Sequence, residues 1–208
     1  MEEVQNCALR LIYTCNPIDV EHGIHIGSYR YFLGAELGRQ VVSQLTEPPD
    51  YVVPVPNSGL YYAMGFSASS NIPYLQALLK LREGERTLAE RDLVKRGRMI
   101  RRNMFLLPDL LKGKRVVLVD EAVFTGTTLR LVCEKLRTEG VASIYICIPT
   151  SPCVRPCPAL PQTDLLAQRL SPDEMRQHFQ ADGLWFLDAD TFRSHTAQFG
   201  PVCTRCFL

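Results

Sequence analysis

Apolar positions along this chain fall into two kinds of run. The first kind is short and nearly unbroken. Lys114 to Val119 reads KRVVLV between Lys112-Gly113 and Asp120, the pattern of a strand buried on both faces. Ala142 to Ile148 reads the same way, and so does Tyr51 to Val55, which ends in the turn Pro56-Asn57-Ser58-Gly59. Pro73 to Leu79 and Ala8 to Cys15 mix branched and aromatic residues and predict two more strands. The second kind recurs at helical spacing. Tyr31, Phe32, Ala35, Leu37 and Val41 predict an amphipathic helix over Gly27 to Gln44. Tyr61 to Ser69 predicts another, and Thr127 to Thr138 a third, closed by Gly140 as a C-cap. Strand, loop, helix and strand recur in that order, which predicts an α/β fold with a mainly parallel central sheet flanked by helices.

Two segments depart from this pattern. Lys80 to Arg102 holds nine Lys/Arg against four acids with weak periodicity, and reads as a basic loop over about 82–102. Cys153 to Gln162 is proline-rich and predicts a loop over 150–162. No internal repeat or linker divides the 208 residues, so one domain over 1–208 is expected.

Charge changes this picture little: a formal net charge of +1 gives no basic surface for nucleic acid or membrane. No apolar stretch reaches the roughly 20 residues of a membrane helix, and Met1 to Arg10 lacks the pattern of a secretory signal. A cytoplasmic protein is expected. Cysteine matters more. Eight thiols in a reducing compartment point to metal ligation or reactivity rather than to disulfides.

The chemistry concentrates in Val116 to Thr128, VVLVDEAVFTGTT. A buried strand delivers Asp120 and Glu121 at its carboxyl end, where open α/β sheets bind ligands. Thr125-Gly126-Thr127-Thr128 then opens a helix. Backbone N–H groups at such an N-terminus bind anions, and Gly126 lets the backbone approach closely. The two acids would repel a phosphate and instead accept hydrogen bonds from a diol or help to position Mg²⁺. Phosphate on one side and a diol on the other describe a ribose 5-phosphate site. A helix N-cap beside two solvated acids would give the same letters.

This stretch resembles the phosphoribosyl pyrophosphate (PRPP) signature of type I phosphoribosyltransferases, in the version of the amidophosphoribosyltransferase family (the transferase half of glutamine PRPP amidotransferase). The resemblance covers almost the whole chain. Pro54 to Gly59 resembles that family's PVPDSG turn, and Lys80-Leu81-Arg82 through Arg86-Thr87 its pyrophosphate loop. Ile100-Arg101-Arg102 resembles part of its flexible loop, and Asp182 to Phe192 a late stretch of the family. The implied PRPP-binding residues are Asp120, Glu121, Ala122, Val123, Phe124, Thr125, Gly126, Thr127 and Thr128, with Ser58, Arg86 and Arg101. The implied catalytic residues are Asp120, Glu121, Lys80 and Arg82, with Mg²⁺ at Asp120 and Glu121. Cys7, Cys157, Cys203 and Cys206 fall where some bacterial members hold a [4Fe–4S] cluster, with zinc as the alternative metal. Cys15, Cys133 and Cys147 lie in apolar runs and read as core residues, and Cys153 has no assigned partner.

The chain also departs from the family. It carries no glutaminase segment, so ammonia would arrive free or from a separate glutaminase partner, or another small amine would take its place. Glu121, Ala122, Thr125 and Asn57 stand where the family has Asp, Ser, Arg and Asp. The expected activity is ribosyl transfer from PRPP with loss of pyrophosphate, by a homo-oligomer. The alternatives are a PRPP- or nucleotide-binding regulatory module and a subunit that needs its glutaminase partner.

Overall fold

Continuous apolar strands need cover on both faces, and the computed structural model supplies it. The structure describes residues 7–80, 95, 98, 100, 102–157 and 164–207. Among these residues a four-stranded parallel sheet runs in the order β3 (Tyr51–Pro54), β6 (Arg115–Val119), β7 (Ser143–Ile148), β8 (Gly183–Phe186). Its register sets Val53 beside Leu118, Leu118 beside Ile146, and Ile146 beside Leu184. Successive side chains point to opposite faces, so β6 and β7 feed two separate cores. Val117, Val119, Tyr145 and Cys147 enter one core, and Val116, Leu118, Ile144, Ile146 and Ile148 enter the other.

The first core is roofed by α1 (Ile26–Val41) and α2 (Leu60–Ser70), through Tyr29, Leu33, Leu37, Tyr62 and Phe66. These two helices lie backbone to backbone. A methyl group at Gly34 would collide with the Tyr62 carbonyl, and one at Gly65 with the Tyr31 carbonyl. The second core is covered by α4 (Thr127–Thr138), through Leu129, Leu131, Val132 and Leu136, and by α5 (Pro172–His178), through Met175. Two small antiparallel pairs stand apart from the main sheet: β1 (Val20–Glu21) with β2 (Ile24–His25), and β4 (Leu78–Lys80) with β5 (Met104–Leu106). A short α3 (Pro108–Leu111) leads into β6, and α6 (Ala189–Thr196) follows β8.

Two expected strands take another form. Within Ala8 to Cys15, Arg10–Thr14 is a π-helical turn. Cys7, Ala8 and Leu9 are buried before the turn and Leu11 and Ile12 within it, which is not the alternation of a half-buried strand. Of the run Pro73 to Leu79, only Leu78 and Leu79 lie in a strand, antiparallel to β5. Residues 73–75 instead reach the main sheet through Val52, which donates to the Pro73 carbonyl at 2.8 Å and accepts from Leu75 at 2.9 Å. Pro73 has no N–H with which to extend a ladder. Helix α4 ends as its sequence predicts: Gly140 takes φ +79° and donates to the Arg137 carbonyl at 3.0 Å.

Candidate active site

Because β3 and β6 are parallel neighbours, the loops at their carboxyl ends meet. The turn after β3 carries Asn57 and Ser58; the loop after β6 carries Asp120 to Gly126. Asp120 and Glu121 are each only 4% exposed. Ser58 Oγ donates to Asp120 Oδ1 at 3.2 Å, and the Glu121 N–H donates to the same oxygen at 3.0 Å. Burial, then the charge of Glu121 and a side-chain hydrogen bond with it, hold the Asp120 carboxyl well above its ordinary value; the Glu121 N–H and Ser58 pull the other way. Burial beside a second carboxylate thus favours the protonated form of Asp120. Glu121 Oε2 is buried with no hydrogen-bond partner, an acceptor that a donor entering the cleft would satisfy.

The rest of the loop offers backbone rather than side chains. Ala122 and Phe124 pack into the core beneath α1 and α2, and Val123 into the core beneath α4. The Phe124 carbonyl accepts from Leu166 N–H at 2.8 Å. Gly126 takes φ +72°, a left-handed conformation, and a methyl group there would press on Leu166 and Phe179. Thr127 begins α4, and Thr125 Oγ1 lies 3.1 Å from Thr127 Oγ1. Residues 120–129 enclose a recess of about 30 Å³, at the start of a twelve-residue helix. Such a recess suits an anion.

Beside it opens a cleft of about 590 Å³ that reaches Ser58, Asp120, Glu121 and Thr128, and Lys80 at the end of β4. The structure therefore brings Ser58, Lys80, Asp120, Glu121 and Thr128 to one cavity. Arg82, Arg86 and Arg101 lie outside the described residues.

Sequence reasoning missed the opposite wall, formed by Tyr13, Asn16, Arg30 and Tyr61. Arg30 is 4% exposed; its Nε donates to the Leu11 carbonyl at 3.0 Å and its Nη2 to the Cys15 carbonyl at 2.8 Å. Tyr62 Oη donates to the Ile12 carbonyl at 2.9 Å. Together these bonds fix the π-helical turn that presents Tyr13. A signal existed: Ile26, Tyr29, Arg30, Leu33 and Leu37 fall on one face of α1, and an arginine inside an apolar stripe calls for a reason.

The metal expectations are corrected. Among the described residues, no group of three or more His, Cys, Asp or Glu is placed to hold a metal ion. This overturns the [4Fe–4S] cluster at Cys7, Cys157, Cys203 and Cys206, its zinc alternative, and the Mg²⁺ seat at Asp120 and Glu121. The physical reasons lie in protonation. Metals bind thiolates, whereas burial raises the Cys7 thiol, and hydrogen bonding to Cys153 followed by burial raises that of Cys206. At the acidic pair, burial likewise disfavours the charged Asp120 carboxylate that a cation would need.

Comparison with known proteins agrees with this geometry. Residues 24–156 match the model of the phosphoribosyl transferase domain. An amidophosphoribosyltransferase of Synechococcus elongatus is 32% identical over 206 residues, covering 97% of this chain and 41% of that protein. That of Pyrococcus horikoshii is 33% identical, covering 87% and 40%. Among solved structures, glutamine phosphoribosylpyrophosphate amidotransferase from B. subtilis, complexed with ADP and GMP, superposes with a TM-score of 0.82 at 28% identity. That match covers 97% of this chain and 45% of the other. The chain thus spans about two fifths of the length of these curated relatives.

Proposed function

Because the chain belongs to the phosphoribosyl transferase domain family, we propose that it transfers the 5-phosphoribosyl group of PRPP to ammonia or a small amine, releasing pyrophosphate. One observation carries the reading: an anion recess at the start of α4 opens beside a buried carboxyl pair that has an unsatisfied acceptor. A ribose 5-phosphate has a phosphate and a vicinal diol at matching ends.

In this reading the backbone of Gly126, Thr127 and Thr128, with the hydroxyl of Thr125, holds the 5-phosphate. The ribose hydroxyls donate to Asp120 and Glu121, and Glu121 Oε2 gains the partner it lacks. Negative charge on that pair then lies beside the ring, where loss of pyrophosphate develops positive charge. Stabilisation of this kind, aimed at charge that appears only in the transition state, speeds the reaction. Lys80 faces the departing pyrophosphate from β4. Ammonia reaches the cleft free in solution or from a separate glutaminase partner. The names of the relatives support nitrogen as the acceptor.

The test is pyrophosphate release from PRPP across an ammonium titration. Ammonium-dependent release is expected, and Asp120→Asn should reduce it by at least about 100-fold, the scale of losing one transition-state contact of roughly 3 kcal/mol. PRPP binding without release at any ammonium concentration would instead favour a regulatory module. Unaltered turnover in Asp120→Asn would remove the carboxyl pair from the mechanism.

A further inference from the structure

Arg30 carries a charge that its surroundings do not balance. It is 4% exposed and lines the cleft, yet among the described residues no carboxylate pairs with it, Asp120 and Glu121 on the same cleft included. A guanidinium has five N–H donors. Arg30 commits one on Nε and one on Nη2, to the Leu11 and Cys15 carbonyls. Its Nη1 takes no protein partner among the described residues and is not sealed from solvent, so it opens on the cleft. A buried cation placed in this way favours an anion that brings its own acceptors.

Position says which anion. The cleft straddles the carboxyl edge of the sheet. Lys80 closes β4, whose Leu78 lies in the second core with Ile100 and Met104. Arg30 and Tyr61 stand on α1 and α2, which roof the first core, and Tyr13 packs against that same core. Tyr13 also meets Phe124 of the phosphate loop edge to face, with ring centroids 6.3 Å apart. On the proposed transfer, on which this inference rests, pyrophosphate leaves toward Lys80. The nucleophile then approaches C1 from the opposite side, where Tyr13, Arg30 and Tyr61 form the wall. Ammonia has no group for a guanidinium to hold, and a cleft of about 590 Å³ has room for a larger amine.

We propose that the acceptor is an organic primary amine bearing a carboxylate, which Arg30 holds through Nη1 while Tyr13 and Tyr61 flank its body. The nitrogen lone pair forms the C1–N bond. The C1–O bond breaks, its electron pair leaves with pyrophosphate, and the new ammonium releases one proton to water. The product is an N-substituted phosphoribosylamine.

The experiment measures pyrophosphate release from PRPP by the full chain with ammonium, with meta- and para-aminobenzoate, and with the two matching aminobenzamides. These ring amines are all unprotonated at neutral pH, so within each pair only the carboxylate differs. The acid should be used at least about 10-fold better than its amide in kcat/KM, the scale of a hydrogen bond to a charged group. Arg30→Met should lose that preference, a ratio that a loosened PRPP site does not change. Equal use of acid and amide, release with ammonium alone, or a preference retained in Arg30→Met would overturn the inference and leave the transferase reading standing. No release with any amine would overturn both. The comparison of acid with amide is read on the unaltered chain, so it decides the question even if Arg30→Met fails to fold.

Discussion

The contact between α1 and α2 leaves no room for a side chain at Gly34, and the cost of adding one can be worked out. In Gly34→Ala the new methyl group meets the carbonyl oxygen, carbonyl carbon and Cα of Tyr62. All three are backbone atoms, so no rotamer change can relieve the clash and the two helices must separate. Overpacking of this kind costs about 1–3 kcal/mol, occasionally more. Alanine recovers about 1 kcal/mol of helix propensity relative to glycine. Since the obstacle is main chain rather than a movable side chain, the upper part of the range applies, and a net loss of about 2 kcal/mol is expected. With a urea dependence of about 2 kcal/mol per molar for a chain of this size, the unfolding midpoint should fall by about 1 M. Ser28→Ala, on the exposed face of the same helix, isolates propensity and should leave the midpoint nearly unchanged. If Gly34→Ala unfolds at the same or a higher urea concentration than the parent, the helices do not meet as described.

Three further outcomes follow from the site and the caps. Asp120 has a folded-state pKa above its unfolded value of about 3.8, so the native state binds more protons than the unfolded one above that pH. Stability therefore falls as pH rises from about 4 toward the folded value; Asp120→Asn should flatten that slope and raise the melting temperature of the ligand-free protein at neutral pH, while an unchanged slope would refute the buried pair. Arg30→Met removes the donors to the Leu11 and Cys15 carbonyls; a buried acceptor left unpaired costs about 1–3 kcal/mol, so melting should drop by several degrees and KM for PRPP should rise as the Tyr13 wall loosens. Ser171 and Glu174 form a capping box at the start of α5, so Ser171→Ala should cost about 1 kcal/mol in a denaturant titration.

The fold was legible where one physical cause dominates. Burial on both faces gives β6 and β7 their unbroken apolar runs, and the ends of α4 follow from Gly126 and Gly140. Legibility failed where tertiary partners decide. Ala8 to Cys15 has strand-like letters, but Arg30 and Tyr62 collect its carbonyls into a π-helical turn, and no local propensity encodes those partners. Strand β8 is too short and too mixed to stand out, with three of its four residues only half-buried. In the candidate site, the position of Asp120, Glu121 and Gly126 between a strand end and a helix start was legible, because that local pattern restricts what the letters can mean. The wall contributed by α1 did not, since it is assembled across the fold. The cysteines show the same limit: their spacing carries no record of the burial that raises the Cys7 thiol, or of the hydrogen bonding and burial that raise that of Cys206.

Val123 and Phe124 were described as neighbours buried in opposite cores. A loop tethered on both sides of a sheet has already lost its freedom when the chain folds. On the proposed function, a phosphate would meet a finished mould and need not order a slack segment, which normally subtracts from affinity. Cutting one tether, as in Phe124→Ala, would turn recognition of a shape into recognition that must first create the shape.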